Sequence, residues 1–264
     1  MSDEYINATT EKNNIKVKRK IFKEVFDDRT EKSLQKIERR GNLDYIIGPI
    51  SKGKEANLFV GKVKNKFVAV KIYRIETTNF HCRKSYIDNE DLEKISKNPI
   101  KRIYAWTERE YFNLKNAYEN KVKVPKPLDQ EGNIIIMELI GNKGIPQKTL
   151  KYDKLLKKDY ELIYNETIKN LNNLIYNAKT VHADLSEYNI IFFKNKIYFI
   201  DMGQSVSTKY ERAKMFLDRD LKNLIKFFNT LGIKKELEEI KLDIKKVKLW
   251  IQYLLKSLKY ELGH

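Results

Sequence analysis

The chain has 264 residues, of which 41% are hydrophobic, and this is enough for one two-lobed domain or two small domains with buried cores. Its only cysteine, Cys82, excludes an intramolecular disulfide framework, and no apolar run approaches the roughly 20 residues that span a bilayer. The polar residues 1–10 do not resemble a signal peptide. We therefore expect a soluble cytoplasmic protein without a membrane partner.

The formal net charge is +17, from 53 Lys and Arg against 36 Asp and Glu residues. An excess of this size favours an anionic partner such as RNA, and we expect no DNA partner. The alternative explanation is a lysine-rich genome or a hot habitat, either of which fills protein surfaces with Lys and Glu. Composition alone leaves both explanations open.

Residues 1–42 are predicted to form a polar arm followed by a short helix. In residues 30–40, Leu34 and Ile37 share one helical face, and Gly41 stops the helix. Three β-rich runs follow, and the turn-forming stretches between them predict an antiparallel meander. The runs are residues 45–47, 58–60 and 67–72. We expect a small β-rich lobe over residues 43–140, with one main helix.

The connection between the first two runs has nearly the spacing of a P-loop, with Gly48, Gly53 and Lys54 in register. A P-loop continues with Ser or Thr and then a helix, whereas here Glu55 and a strand follow. We therefore exclude a P-loop ATPase. A strand–loop–strand cover over phosphates stays open, with Ser51 and Lys54 as contacts to ATP.

The third run carries Lys71 in the pattern Val-Ala-Val-Lys, which in protein kinases places a lysine on the α- and β-phosphates. A lysine within an apolar strand is costly unless it is paired. The alternative is an edge-strand lysine that faces water. The expected partner is Glu110 or Glu108, and Leu114, one turn later, favours Glu110. Thr107 and Glu110 also have the spacing of a capping box, which needs no catalytic role.

Residues 74–102 lack a clear period and are predicted to be a flexible loop that carries two candidate phosphoacceptors, Ser85 and Ser96. Residues 134–140 are predicted to be the buried strand at which the chain passes to the second lobe. In a two-lobed kinase, Met137 would lie behind adenine, with backbone groups near Glu138 and Ile140 bonded to it. The alternative is that Met137 only fills the core.

The second lobe, residues 141–264, is expected to be mostly helical. An amphipathic helix is predicted over residues 160–178, with Ile163, Ile168, Leu171, Leu174 and Ile175 on its apolar stripe. Two further helical stretches are predicted near the end of the chain. Their apolar residues are Leu217, Leu221, Leu224 and Phe228 in the first, and Ile240, Val247, Trp250, Leu254 and Leu258 in the second.

Between these helices lies a constellation suited to nucleotide chemistry. Asp184 follows His182 by two residues, Asn189 comes five residues later, and a predicted hairpin over residues 190–199 leads to Asp201. Phosphoryl transfer needs a positioned acceptor oxygen and neutralised phosphates, and Mg²⁺ prefers hard oxygen ligands. The order predicts Asp184 as the catalytic residue, with Asn189 and Asp201 on the metal. A lone match of this kind is more often a capped turn, but Lys71 upstream favours the site.

A carboxylate, Asp220, lies inside the apolar stripe of the helix that follows Asp201. We expect this side chain to accept hydrogen bonds from the backbone of the loop around Asp184. The alternative is a solvated helix residue.

Four segments together closely resemble the RIO family of atypical protein kinases, namely residues 51–57, 106–110, 182–189 and 200–206. The resemblance implies an α+β, bilobal protein-kinase-like fold without the usual activation loop. The second branch of the family carries a winged helix before the kinase domain. The 44 residues before Tyr45 are too few for one, so the chain resembles the first, Rio-one, branch of archaeal type.

The resemblance implies an ATP-dependent serine kinase and ATPase that uses Mg²⁺, or Mn²⁺ in its place. It also implies autophosphorylation on serine, an aspartyl-phosphate on Asp201, and a role with the pre-ribosomal small subunit and its RNA. Ser186 stands where ordinary kinases place a lysine near the γ-phosphate, and we expect Ser186 and Glu187 to contact ATP. The alternative is an ATP-switched, RNA-binding assembly factor with little protein phosphorylation. A small-molecule kinase of related fold is the third reading.

Overall fold

The computed structural model describes residues 26–75 and 98–247, which fall into two units. Unit 1 contains residues 26–75, 98–111 and 126–146, and unit 2 contains residues 112–125 and 147–247. The predicted lobe boundaries stay a prediction. The following residues of the sequence analysis lie outside the described ranges: Cys82, Ser85, Ser96, Trp250, Leu254 and Leu258.

Unit 1 is built on a five-stranded antiparallel sheet in the order β1-β2-β3-β5-β4. The strands are β1 (Tyr45–Lys52), β2 (Ala56–Val63), β3 (Lys66–Tyr73), β4 (Pro127–Glu131) and β5 (Ile134–Glu138). The predicted meander of the first three strands is confirmed. Sequence reasoning missed β4, because its polar residues begin with a proline. Such a strand is tolerated at the edge of a sheet, where β4 lies.

Helix α1 (Asp28–Arg39) packs against this sheet. It begins where the carboxylate of Asp27 accepts hydrogen bonds from the N–H groups of Arg29 and Thr30, at 3.0 and 3.1 Å. The predicted apolar face is confirmed, because Leu34 and Ile37 are buried. They join a cluster with strand residues that include Val68, Val70, Ile72, Ile134 and Ile136. Helix α1 is therefore part of the core of unit 1.

Helix α2 (Pro99–Glu119) begins earlier than expected, inside the segment predicted to be a loop. Pro99 takes the first helical position, and the side chain of Asn98 accepts the N–H of Ile100 at 2.9 Å. Thr107 therefore lies two turns inside the helix, where its hydroxyl donates to the carbonyl of Ile103 at 2.8 Å. The capping-box alternative for Thr107 is wrong for this reason.

Unit 2 is mainly helical, as predicted. Besides the last turns of α2, its helices include α3 (Tyr160–Asn172), which continues into a π-helical turn (Asn173–Asn177), α4 (Ala213–Thr230), and a helix over residues 237–247, where the described range ends. Four short strands, β6 (Gly141–Asn142) and β7 (Ile145–Pro146) in unit 1, and β8 (Thr180–Val181) and β11 (Val206–Ser207) in unit 2, form two small pairs. Within the described ranges, no helix combines the length and apolar character needed to cross a bilayer.

The predicted hairpin of unit 2 is formed by β9 (Ile190–Phe193) and β10 (Lys196–Phe199). Its two-residue turn, Lys194 and Asn195, has φ values of 50° and 60°, and such left-handed turns match the twist of a hairpin. Beyond the last pair of the ladder, the N–H of Ile200 donates to the carbonyl of Asn189 at 3.0 Å. The hairpin therefore brings its two ends together, as the sequence predicts.

Candidate active site

Lys71 lies in the middle of the sheet of unit 1. In β3 it is paired with Leu58 of β2 on one side and with Ile135 of β5 on the other. Side chains alternate between the faces of a strand, so Lys71 points away from the cluster that contains Val70 and Ile72. The alternative of an edge-strand lysine is therefore wrong.

On this face Lys71 forms an ion pair with Glu110 of α2. The Nζ and Oε1 atoms are 2.7 Å apart, and the two side chains are 13% and 4% exposed. Tyr73 donates its hydroxyl to the second oxygen of Glu110, and its ring lies 5.1 Å from the Lys71 ammonium. Glu108 is exposed, so the structure selects Glu110 as the partner. With both oxygens engaged, the Glu110 carboxylate fixes the position of the lysine charge.

The loop between β1 and β2 is a tight turn. The N–H of Gly53 donates to the carbonyl of Ala56 at 3.0 Å, and a Cβ at Gly53 would lie 2.5 Å from that oxygen. Only glycine therefore fits this position. The expected ATP contacts Ser51 and Lys54 are exposed, and β2 follows the turn directly. Their contact with a nucleotide stays a prediction.

The residues expected around adenine lie at the end of β5. Met137 is half-buried and pairs with Ala69 in β3, so it lies on the same face of the sheet as Lys71. Glu138 is exposed and Ile140 is buried. The N–H of Glu138 donates to the carbonyl of the residue before β4, at 2.9 Å. Its amide is therefore engaged within unit 1 before any ligand binds.

In unit 2, Asp184 and Asn189 are held by one another. The Nδ2 of Asn189 donates to the backbone carbonyl of Asp184 at 2.8 Å and lies 3.5 Å from its Oδ2. The N–H of Asn189 also donates to the carbonyl of Ser186 at 2.9 Å, which closes the loop. Because the amide nitrogen is used in this way, the Oδ1 atom of Asn189 is the end presented to a ligand. It is a hard oxygen of the type that Mg²⁺ prefers.

Asp201, at the other end of the hairpin, has an exposed side chain and a left-handed backbone with φ 64° and ψ 69°. A residue other than glycine adopts this conformation at a cost of about 1 kcal/mol or more. The next turn is held by Asn113 of α2, whose Nδ2 donates to the carbonyls of Met202 and Ser205 at 3.0 and 3.2 Å. The position of Asp201 is thus built into the local hydrogen bonding.

The donor atoms fit magnesium better than a metal that needs a complete protein cage. Asn189 and Asp201 offer two oxygen donors, and no cluster of three His, Cys, Asp or Glu side chains occurs within residues 26–75 and 98–247. Mg²⁺ is typically held by one or two protein groups, with phosphate and water completing its coordination. The residues present therefore suit Mg²⁺ bound together with a nucleotide.

The loop around Asp184 is anchored by α4. Asp220, which is 1% exposed, accepts the N–H groups of Ala183 at 2.8 Å and Leu185 at 3.0 Å. The neighbouring Arg219 donates to the carbonyl of Ala183. Ala183 has a φ of 64°, so these bonds hold a second left-handed residue in place. The hydrogen bonds expected for Asp220 are confirmed, and the solvated alternative is wrong.

Burial sets the titration of two groups in this loop region. It raises the pKa of the Asp220 carboxyl to about 7, although the two N–H donors and Arg219 act in the opposite direction. It lowers the pKa of His182, which is 1% exposed. The Nε2 of His182 lies 3.0 Å from the carbonyl of Ile200, which can only accept, so this nitrogen carries the proton of a neutral ring.

Sequence reasoning missed three residues that position these groups: Tyr73, Asn113 and Arg219. A signal for each is present in the sequence. Tyr73 is two residues beyond Lys71 and must share its face of the strand. Asn113 lies one helical turn beyond Glu110, and Arg219 is adjacent to Asp220.

Comparison with known proteins agrees with these features. The family model described as "RIO domain" matches residues 57–241. A Rio1 kinase of Haloferax volcanii is 34% identical over 215 residues, which are 81% of this chain and 73% of that protein. A Rio1 kinase of Methanocaldococcus jannaschii is 35% identical over 212 residues, covering 79% and 71%. The Caenorhabditis elegans RIO1 kinase is 35% identical over 218 residues, but this chain spans only 43% of it.

A solved structure shows the same fold. The crystal structure of the Rio2 kinase from Chaetomium thermophilum, in an ADP/Mg²⁺-phosphoaspartate complex, superposes with a TM-score of 0.62 and 21% identity. The superposition covers 81% of this chain and 64% of that one, and it confirms the predicted α+β protein-kinase-like fold. The extent of the family match, together with identities above 30% to two proteins that this chain largely covers, shows that the chain belongs to the RIO family, in its Rio1 branch.

Proposed function

We propose that this protein transfers the γ-phosphate of ATP to a serine hydroxyl, its own or that of another protein. The observation that carries the proposal is the loop in which Asn189 holds Asp184, anchored on Asp220 and followed by a hairpin that ends in Asp201. The relatives named above are serine/threonine-protein kinases, which supports the reaction class. The single cysteine supports a cytoplasmic setting.

Unit 1 supplies the contacts to the nucleotide in this proposal. Lys71 binds the α- and β-phosphates, and Glu110 keeps its ammonium in place. Met137 contacts adenine on the same face of the sheet, with backbone groups of Glu138 and Ile140 as hydrogen-bonding partners. The exposed Ser51 and Lys54 contact phosphates from the β1–β2 turn.

Unit 2 supplies the chemistry. Asp184 accepts the proton of the serine hydroxyl while the serine oxygen forms a bond to the γ-phosphorus. The bond from that phosphorus to the bridging oxygen breaks, and its electron pair leaves with ADP. Mg²⁺, or Mn²⁺ with similar oxygen preference, would be held by Asn189 and Asp201 and would neutralise phosphate charge. The contacts of Ser186 and Glu187 with ATP stay predictions.

A second candidate is an ATP-switched assembly factor that acts on the pre-ribosomal small subunit and its RNA. Two observations favour it: the net charge of +17, and the phosphoaspartate named in the Rio2 complex. In this case a carboxylate oxygen of Asp201 forms a bond to the γ-phosphorus while the bond to the bridging oxygen breaks and ADP leaves. Water later hydrolyses the aspartyl-phosphate to free phosphate and the original carboxylate. Binding to RNA would then weaken on the order of 10³-fold or more between 50 and 200 mM salt.

The two candidates differ in the fate of the phosphate. The experiment follows γ-labelled ATP with Mg²⁺, with and without small ribosomal subunits, and measures free phosphate and protein-bound label together. Acid-stable label on serine, absent in Asp184→Asn, supports the kinase. Free phosphate stimulated by subunits, with only hydroxylamine-sensitive label that Asp201→Asn abolishes, supports the switch. If the wild type forms neither labelled serine nor free phosphate above the level seen with Asp184→Asn, both candidates are contradicted.

A further inference from the structure

Beside the loop that carries Asp184, unit 2 has a groove of about 610 Å³ that sequence analysis did not foresee. One wall is formed by Ser186, Glu187 and Tyr188, which continue directly from the catalytic loop. The other wall is one face of α4, because its lining residues lie three, four and seven positions beyond the first of them, Asn223. We call this feature the basic groove. Its lining residues on α4 are Asn223, Lys226, Phe227 and Thr230.

The two walls of the basic groove are held together by hydrogen bonds. Asp220, on α4, accepts the N–H groups of Ala183 and Leu185, and Asn223 donates to the carbonyl of Leu185 at 3.3 Å. Asn223 is itself a lining residue. The groove is therefore formed before a ligand arrives, which lowers the entropic cost of binding.

The charges in the groove favour an anionic ligand. It contains two lysines, Lys151 and Lys226, and one carboxylate, Glu187. Glu187 lies 3.8 Å from the ammonium of Lys151, so that pair is largely compensated. Lys226 is exposed, and no carboxylate within the described part of the chain pairs with it. The C-terminal end of α4 lies at Thr230, and its partial negative charge does not attract an anion. The attraction for an anion in the groove therefore comes mainly from Lys226.

Two further features favour a polypeptide over a nucleic acid in this groove. A polypeptide whose serine lies at Asp184 would continue along Ser186 to Tyr188, because these residues follow Asp184 in the same loop. The half-exposed ring of Tyr188, with the ammonium of Lys151 at 5.1 Å, offers an apolar surface to a peptide.

We propose that the basic groove binds an acidic side chain of the acceptor polypeptide, a carboxylate or a phosphoserine, near the serine that is phosphorylated. The proposal rests on the proposed phosphotransfer and names the class of its substrate. Lys226 is the specificity-determining residue. Lys151, Tyr188 and Asn223 complete the site.

The test compares the full chain with Lys226→Glu, using Lys214→Glu as a matched control. Lys214 is an exposed lysine three turns earlier on α4 that does not line the groove, so a glutamate there is too far along the helix to pair with Lys226. The substrates are serine peptides in which Asp, phosphoserine or Lys is placed in turn at each flanking position. The measured quantity is the ratio of phosphorylation rates for acidic and basic peptides within each variant.

We expect the wild type to prefer acidic peptides about threefold to fivefold at one or two flanking positions, as one exposed ion pair allows. Lys226→Glu should invert that ratio, and Lys214→Glu should retain it. A stronger preference for phosphoserine than for Asp would identify a phosphorylated acceptor as the source of the charge. A ratio that is equal in the wild type and Lys226→Glu overturns the proposal.

A binding measurement separates this proposal from the proposed function. Fluorescence anisotropy of the labelled acidic peptide, with single-stranded RNA as competitor, does not require phosphotransfer. Weaker peptide binding in Lys226→Glu supports the groove even if no serine is phosphorylated, in which case only the proposed function fails. If Lys226→Glu weakens the binding of RNA but leaves that of the peptide unchanged, the groove serves RNA and the proposal is overturned.

Discussion

In unit 1 the group expected to meet phosphate is a side chain, Lys71, held by the side chain of Glu110. In unit 2 the expected groups stand on a backbone that other side chains hold, through Asp220 and Asn189. Unit 1 uses regular β-structure with one buried ion pair. Unit 2 uses left-handed residues at Ala183 and Asp201, and side chains elsewhere in the unit hold the backbone at or beside them through hydrogen bonds.

Because of this difference, we expect substitutions of supporting residues to impair the two units in different ways. In unit 1, removal of one charge leaves the opposite charge buried, so both stability and nucleotide binding should suffer. In unit 2, loss of one hydrogen bond releases a strained loop, so the position of the loop around Asp184 should change more than the overall stability of the protein. Substitutions that keep the shape of a side chain but change its charge or its hydrogen bonds therefore test this difference between the two units.

The largest effect is expected for Glu110→Gln. This substitution removes the negative charge from the buried ion pair with Lys71, whose side chain is 13% exposed. We expect the free energy of unfolding to fall by about 3 kcal/mol and kcat/KM for ATP to fall on the order of a hundredfold. Chemical denaturation and turnover measurements test this. Glu108→Gln is the control, because Glu108 is exposed, and equal losses in both variants would remove the distinction drawn for unit 1.

A smaller effect is expected for Asp220→Asn. The amide keeps one acceptor but turns an N–H donor toward a backbone N–H, so one of the bonds to Ala183 and Leu185 is lost. We expect a loss of stability of about 1–3 kcal/mol and faster amide exchange at these two residues. Turnover should fall while KM for ATP changes little.

The matched control for Asp220→Asn is Asp218→Asn. Asp218 lies on the same helix and pairs instead with Lys241, at 2.9 Å, in a partly exposed ion pair. It should leave amide exchange at Ala183 and Leu185 unchanged. An Asp220→Asn protein with wild-type exchange at both positions would show that α4 does not hold the loop.

The smallest effect concerns pH and His182. Burial lowers the pKa of His182, so between that value and about 6.5 the unfolded chain binds a proton that the folded chain does not. The contribution of His182 to stability is complete above about pH 6.5 and is lost as the pH falls below it. We expect acidification from about pH 7.5 to 5.5 to lower the Tm of the wild type more than that of His182→Gln, by on the order of 1 kcal/mol in stability. Parallel falls in the two proteins would exclude His182 as the cause.

The elements with clear periodicity were predictable. The period-2 runs of β2 and β3, the hairpin of β9 and β10, and the apolar stripes of α3 and α4 are all present as expected. The exception β4 is polar and begins at Pro127, because an edge strand needs neither a full apolar face nor every N–H group. The start of α2 could have been predicted from Asn98-Pro99, which is a typical helix start signal. Sequence reasoning missed it because the preceding segment has no clear hydrophobic period and therefore predicts one long loop.

The residues of the candidate site could be singled out in part for a different reason. Lys71, Asp184, Asn189 and Asp201 are residue types that seldom occur in apolar surroundings without a role, so their spacing carried information. The residues that line the basic groove come from three distant parts of the chain, around Lys151, Ser186 and Lys226. Only the packing of α4 against the loop brings them together, and no local pattern reports such packing.

The connection between α1 and β4 has a consequence for the synthesis of this chain. Arg40 pairs with Asp129 at 2.9 Å across 89 positions, and Lys36 pairs with Glu131 at 2.7 Å across 95 positions. These exposed pairs add little energy, but they show that unit 1 is completed by residues made far apart in time. On the ribosome, β3 emerges long before β5, its partner strand, so one edge of the nascent meander has no neighbour. Translation between β3 and β5 is therefore an interval in which an unpaired strand edge exposes the chain to edge-to-edge aggregation.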